Sequence, residues 1–499
     1  MINPQSDEQE LLRSEQADVP EGEPYDLLGI GIGPFNLGLA ALLQKTDVKA
    51  VFCERKPQFD WHSGMLLEGT TLQVPFFADL VTMADPTHPL SYLNYLHEHG
   101  RLYHFYFLER FHIPRREYNH YCQWAASKLP SCRFGSEVAD VRLVERGGVK
   151  LFEAVIRDTA SGAAHRVLAR DLVLGVGSVP HVPRPMSGFG ITEGVLHAAD
   201  YLKHRERCLS ACKVTVIGSG QSAGEVFLDL LQEQRNYGYR LDWLTRSKGF
   251  LPMEYSKLGL EHFSPDYTSY FYNLPAAVKD RVRASQDLLY KGISAKTIAD
   301  IYDQLYEAGV GGGQPDVGLL ALTEVEGIQL AAGEDAAQCR LTCRHVEQDR
   351  TFSHDSEIVI LATGYRHAVP GCLEPLRGLL AWDEQERFEV TEDYRLVWKD
   401  HEVANRIYVQ NGELHTHGVG APDLGLGAHR NSVIINGLTG QTVYPLRKRN
   451  VFQQFGLQEA EHTAAAAAEL HGEAAGGTGR TGASTPEAAG AAGEGSGKT

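Results

Sequence analysis

Residues 25–43 read YDLLGIGIGPFNLGLAALL. An apolar run ends at Ile30, Gly31 and Gly33 follow, and apolar residues resume with the spacing of a buried helix. Strand, glycine turn and helix in this order open a dinucleotide-binding fold. Gly31 permits the tight turn, Gly33 lets the backbone approach a pyrophosphate, and the helix N-terminus offers its free amides to the phosphates. The third glycine position is held by Asn36. KAVFCE (49–54) reads as the next strand and ends on Glu54, where an acid commonly grips ribose hydroxyls. Gly31, Gly33, Pro34, Asn36 and Glu54 are thus the candidate residues of a first nucleotide site.

The pattern recurs at 213–231, KVTVIGSGQSAGEVFLDLL, with Gly218, Gly220 and Ala223 at the fingerprint positions and Gln221 and Ser222 opening the helix. The strand after it, LDWLTRSKG (241–249), ends in Arg246 and Lys248 rather than an acid. A base there can pair with a 2′-phosphate, which favours NADPH over NADH; the bland alternative is a solvated strand end. Two fingerprints about 190 residues apart imply two dinucleotides, typically FAD first and NADPH second. DLVLGVGSVPHVP (171–183) and EIVILATGY (357–365) are further apolar runs ending in glycine, which adds Thr363, Gly364 and Tyr365 to the cofactor-binding candidates.

The expected fold class is therefore α/β, with two Rossmann-like dinucleotide-binding domains, for FAD and NADPH, and a small helical substrate-binding region. The boundaries read as an FAD domain over 25–206, an NADPH domain over 207–355 with helices at about 255–308, and a return of the FAD domain over 356–457. A length of 499 residues suits more than one core. The formal charge of −17 is uneven, since residues 1–24 carry seven acids against Arg13 and the Ala/Gly-rich 458–499 stretch is also acidic. Both ends are expected to be disordered tails.

The acidic balance argues against nucleic acid as a partner. No signal-peptide or membrane-span pattern appears, and eight scattered Cys suit a reducing compartment, so a cytoplasmic protein is expected. The pairs Cys208/Cys212 and Cys339/Cys343 read as buried thiols rather than metal ligands. AGEGSGKT (492–499) fits a relaxed phosphate-loop pattern, but no strand precedes it and no helix can follow.

Beyond the fingerprints, GIGPFNL (31–37), DWHSGM (60–65), LQVPFFADLVTMADPTHPLSYLNYL (72–96), GSGQSA (218–223), EHFSPDY (261–267), ATGYR (362–366) and THG (416–418) stand in order along the chain. Together they resemble the FAD- and NADPH-dependent N-hydroxylating monooxygenases of siderophore biosynthesis: the lysine and ornithine N-hydroxylases and the diamine hydroxylases. VLHAADY (195–201) also resembles a signature of class B flavin monooxygenases. The resemblance implies that NADPH reduces FAD, that reduced flavin and O2 give a C4a-hydroperoxide, and that a neutral primary amine takes its distal oxygen. It places Trp61, His62 and Gln73 close to the flavin as catalytic candidates, with Gln73 helping to hold the peroxide. Trp61 could equally be a core anchor and His62 a structural histidine. A homo-oligomer, tetramer or dimer, is implied as well.

The departures from the family bear on the substrate. In the amino-acid hydroxylases a Lys five residues after the Gln pairs with the substrate carboxylate; here that position is Ala78. Two pocket Asn positions fall on Leu260 and Gly292, and a pocket Ser on Gly425. An amino-acid head group would lack its partners, and an unpaired buried carboxylate is costly. A diamine, cadaverine or putrescine, needs none of these groups, and its far ammonium would want an acid. Asp79, Glu261 and Asp266 are the candidates. The alternatives are lysine or ornithine hydroxylation by the same family, a flavin disulfide reductase, for which the first helix lacks redox cysteines, and a nucleotide-binding sensor with a vestigial site.

Overall fold

Leu27–Ile30 is buried on both faces, as an apolar run between parallel neighbours should be. In the computed structural model the strand Tyr25–Ile30 pairs in parallel with Ala50–Glu54 on one side and Ala164–Leu174 on the other. The structure describes residues 23–331 and 338–457. The two expected tails, apart from Glu23 and Pro24, lie outside these residues, and so does the AGEGSGKT ending.

Among the described residues the first sheet has seven strands. Cys132–Phe134 extends its parallel half, while Val149–Asp158 and Ser136–Arg146 add an antiparallel half. Ile407–Val409 returns to pair in parallel with Leu172–Leu174, so the C-terminal part of the chain closes the first domain. The helix Pro34–Leu42 is buried along its whole length. It packs with Phe52, Tyr92 and Tyr121 from its own domain and with Ile434 and Ile435 of the helix Gly427–Thr439. Asn431 of that helix donates its amide to the Phe35 carbonyl at 3.1 Å.

A second, five-stranded sheet is wholly parallel, in the order Val317–Leu320, Arg240–Leu244, Lys213–Ile217, Ile358–Leu361, Val195–His197. Two of its members correct the sequence boundaries. Val195–His197 lies before 207 and Ile358–Leu361 after 355, yet both belong to this sheet. A three-residue strand has too short a period to be read, and Ile358–Leu361 has the same apolar character as a strand of either sheet. A three-stranded antiparallel sheet, Thr323–Ala331, Gln338–His345 and Arg350–Ser356, precedes the last parallel strand.

Five helices fill 257–309. Three begin with a serine whose hydroxyl accepts a first-turn amide: Ser256 from Gly259, Ser264 from Tyr267 and Ser294 from Thr297, each satisfying one orphan donor. Cys208, Cys339 and Cys343 are buried free thiols, but Cys212 is exposed. It follows the helix Tyr201–Leu209 in a surface turn, so the pair does not share one environment. No helix among the described residues is long and apolar enough to cross a membrane.

Candidate active site

Both glycine turns open on one cleft of about 3450 Å³. At the first, Gly31 has φ 84°, and a Cβ there would stand 2.7 Å from the Gly175 carbonyl oxygen. The Glu54 carboxylate accepts the Ile32 N–H at 3.0 Å and the Lys56 N–H at 3.0 Å, which locks the end of the second strand to the glycine loop. Gly31, Gly33, Pro34 and Glu54 all line the cleft.

Asn36 does not line it and is corrected from a cofactor ligand to a brace. Its side chain is fully buried. It donates to the Gly31 carbonyl at 2.8 Å and accepts from Gln410 Nε2 at 2.8 Å. The third glycine of a fingerprint allows close packing of helix and strand. Here the missing room is supplied from across the turn: a Cβ on Gly175 would fall 2.4 Å from the Asn36 amide.

The second turn repeats the logic. Gly218 has φ 149°, with a hypothetical Cβ 2.2 Å from the Ala362 carbonyl oxygen, and Gly220 caps the helix Gln221–Tyr237. Gln221 and Ser222 reach the cleft wall. Gln221 is also a structural tie: it donates to Glu225 at 2.8 Å and to Thr297 at 3.1 Å, and accepts the Ser294 N–H at 2.6 Å. Arg246 is exposed on the cleft wall. Lys248 is not part of that wall, because the chain turns at Ser247, whose N–H meets the Thr245 hydroxyl at 3.1 Å.

Trp61, His62, Gln73, Thr363, Gly364 and Tyr365 line the same cleft. Trp61 is anchored in its domain and also lines the cleft. Its N–H is fixed by Asn119 at 3.0 Å and its ring meets Tyr118 edge-on at 5.3 Å, while it also faces the cleft. His62 sits in the left-handed region at φ 51°, its ring edge-on to Trp61 at 4.8 Å and to Tyr365 at 5.4 Å. Its side chain is exposed where it lines the cleft. Confinement there, with the charges of Arg115 and Lys56, lowers its pKa to about 4, so the imidazole is neutral at physiological pH. Gln73 Nε2 is buried without a hydrogen-bond partner among the described residues, and an orphan donor in a cleft wall calls for an acceptor from a bound group. This donor and two turns that leave no room for a Cβ fit two dinucleotides.

A further stretch of the cleft wall holds Ala78, Leu260 and Gly425. A Cβ on Gly425 would lie 3.9 Å from that of Ala78, so these two positions face each other as small residues. Gly292 is corrected: it does not line the cleft. A Cβ there would fall 2.6 Å from the Met253 backbone N, so its role is close packing of two chain segments. The three candidate acids are corrected too. Glu261 accepts the Phe452 and Gln453 N–H groups at 3.0 and 2.9 Å. Asp266 holds Asn450 through its N–H and side chain. Asp79 is buried under the Val81, Thr82 and Tyr92 amides. All three are spent on backbone.

The acid on this stretch is Asp423, two residues before Gly425. It lines the cleft, and its carboxylate accepts the Gly425 N–H at 2.7 Å. Burial raises its pKa to about 6, against the pull of that amide and of Arg430. In sequence APDLGLG looks like an ordinary turn with a capping acid. Only its place on the same cleft wall as Ala78 reveals it.

Residues 23–367 match the family model for L-lysine 6-monooxygenase/L-ornithine 5-monooxygenase. The rhizobactin siderophore biosynthesis protein RhbE of Rhizobium meliloti is 46% identical over 88% of this chain and 96% of its own length. A putrescine N-hydroxylase of Shewanella oneidensis is 42% identical over 86% of this chain and 84% of its own. Among solved structures, DfoA bound to FAD, the desferrioxamine-pathway cadaverine monooxygenase of Erwinia amylovora, superposes with a TM-score of 0.83 at 41% identity, covering 88% of this chain and all of its own. The ornithine N-hydroxylase KtzI of Kutzneria sp. 744, with reduced FAD, NADP+ and L-ornithine, gives 0.76 at 28% identity, covering 84% of this chain and 99% of its own.

Proposed function

The chain belongs to the L-lysine 6-monooxygenase/L-ornithine 5-monooxygenase family, and within it we propose that it N-hydroxylates one terminal amine of an aliphatic diamine, cadaverine or putrescine, in hydroxamate siderophore biosynthesis. It is a flavin-dependent N-monooxygenase, with FAD at the Gly31 turn and NADPH at the Gly218 turn. When bound, these cofactors and O2 supply the electrons and the oxygen atom that the amine acquires. The protein's part is to hold, orient and dry the reactants.

One observation carries the substrate: this stretch of the cleft wall offers Ala78, Gly425 and Asp423, an acid with no cation on the wall at 78. An ammonium there meets a carboxylate. The α-carboxylate of lysine or ornithine would meet like charge in a poorly solvated place, at a cost of several kcal/mol on the order expected for unpaired buried charges. The neutral His62 on the cleft wall presents no anion to a second ammonium, which suits holding the reacting amine as the free base that nucleophilic attack requires. Gln73 Nε2 donates to a cofactor- or oxygen-derived acceptor, and Trp61 walls the site from water. The similarity to a putrescine N-hydroxylase and to a cadaverine monooxygenase points the same way.

The pH dependence tests the role of Asp423. The carboxylate is charged above its pKa of about 6 and loses the ammonium contact as it protonates below. Both a diamine and a monoamine such as n-pentylamine lose free base on acidification, so their ratio isolates the distal contact. The ratio of kcat/KM for cadaverine over n-pentylamine should be flat above pH 7 and fall below pH 6. A ratio constant from pH 5 to 8 would contradict the assignment.

Arg246→Ala tests the second turn. An exposed guanidinium on a 2′-phosphate contributes about 1.5–3 kcal/mol, or roughly 10- to 100-fold. KM for NADPH should rise by that factor while KM for NADH stays within about twofold. Equal changes would remove the phosphate role.

A further inference from the structure

Arg115 opens the helix Arg115–Ser127. A cation in the first turn works against the helix dipole, so Arg115 does not serve its own helix. Its guanidinium reaches into the second domain instead, where Nη1 donates to the Glu225 carboxylate at 2.7 Å. The two side chains are 13% and 3% exposed, and both residues line the cleft. Each end of the pair is rigid. Tyr118, Tyr121 and Cys122 set the Arg115 helix in the core around Pro34–Leu42. Ala223, Val226 and Phe227 set the helix Gln221–Tyr237 in the core of the second sheet. Each end also touches the site. The Arg115 N–H donates to the Thr70 carbonyl at 3.1 Å, and the Leu72 N–H to the Ile113 carbonyl at 2.9 Å, one residue before Gln73. Glu225 accepts from Gln221 at 2.8 Å, the residue that follows Gly220 at the second turn.

We propose that Arg115 and Glu225 are positioning residues: their ion pair is the joint that sets the NADPH turn at Gly218 against the segment carrying Gln73, and it governs hydride delivery rather than affinity for NADPH. This rests on the reading that puts NADPH at the Gly218 turn, from which one hydride passes to oxidised FAD and leaves NADP+ and reduced flavin. Donor and acceptor sit on different domains, so the rate depends on how those domains are held. A misplacement of about 1 Å can cost roughly 100-fold. Affinity has other sources, Arg246 and the amides of the glycine turn. A buried ion pair is also a poor source of stability, because desolvation offsets its attraction. What it supplies that an apolar contact does not is direction, here between helices from two separate cores and residues 110 positions apart.

Anaerobic stopped-flow reduction of the holoenzyme over a range of NADPH concentrations tests the joint. The variant is Arg115→Met combined with Glu225→Gln, which leaves no buried charge unpaired. Its limiting reduction rate should fall about 10- to 100-fold, with Kd for NADPH within about threefold of the wild type. Dithionite needs no domain alignment and should reduce both proteins at one rate. Arg115→Lys keeps the charge for a single N–H···O contact and should restore most of the loss. Hydrogen exchange reads the joint without turnover: NADP+ should slow exchange over residues 70–76 in the wild type and not in the double variant. A double variant with the wild-type limiting rate, or with wild-type protection of 70–76, would overturn the joint and leave the NADPH site standing. A wild type that NADPH fails to reduce would remove that site, and the joint with it. Should the double variant lose FAD, Glu225→Gln alone keeps shape and an acceptor for Arg115, and the same fall in limiting rate is expected.

Discussion

Asp423→Asn is expected to lower kcat/KM for the diamine by about 30- to 4000-fold, leaving FAD content unchanged. The substitution keeps shape and keeps an oxygen for the Gly425 N–H, which now approaches Asp423 Oδ1 at 2.7 Å. What it removes is the charge. Truncating one partner of a buried, hydrogen-bonded ion pair costs about 2–5 kcal/mol, and every 1.4 kcal/mol is tenfold. The loss should appear mainly in KM, since the distal ammonium is bound equally in the ground and transition states. n-Pentylamine should lose little, because it presents no charge there. Steady-state hydroxylamine formation with both amines makes the check. Equal losses for the two would mean that Asp423 supports the loop rather than the substrate.

Gly31→Val should abolish FAD binding altogether. At φ 84° a β-branched residue is strained by roughly 1–3 kcal/mol. Its Cβ would also fall 2.7 Å from the Gly175 carbonyl oxygen, a backbone atom held by the Gly175 N–H bond to Ile30 at 2.8 Å. That contact cannot relax without opening the strand pair Tyr25–Ile30 and Ala164–Leu174. The loop whose amides face the phosphates would move with it. The purified variant should be colourless and should take up no flavin on incubation with excess FAD. A yellow variant with normal flavin content would show that the turn tolerates a side chain.

The α/β class and both nucleotide turns were legible because Gly31 and Gly218 answer a local demand, a positive φ and close backbone approach, that no other residue meets. Domain edges were not, since Val195–His197 is too short to carry a pattern and joins its sheet only through partners far along the chain. Trp61, His62 and Gln73, singled out in short motifs that each lie on one segment, do line the cleft. Asp423 could not be singled out in this way. Asp79, Glu261 and Asp266 look like free acids in sequence, but their lone pairs are filled by backbone amides, two of them from the 450–453 stretch. Asp423 looks like a turn cap and is one, yet it lines the same cleft as Ala78, which stands 345 positions away in the chain. Asn36 shows the same limit. Its deviation from glycine is visible, while Gly175, the compensation, is not adjacent in sequence.

The most direct test of the account is competition among cadaverine, putrescine, L-lysine and L-ornithine, scored as hydroxylamine formed with NADPH and O2. The arrangement of Ala78, Gly425 and Asp423 predicts that a diamine wins by at least about 100-fold in kcat/KM over either amino acid, the penalty of placing a carboxylate on a wall that carries the Asp423 carboxylate and no cation at position 78. A preference for lysine or ornithine over both diamines would contradict it.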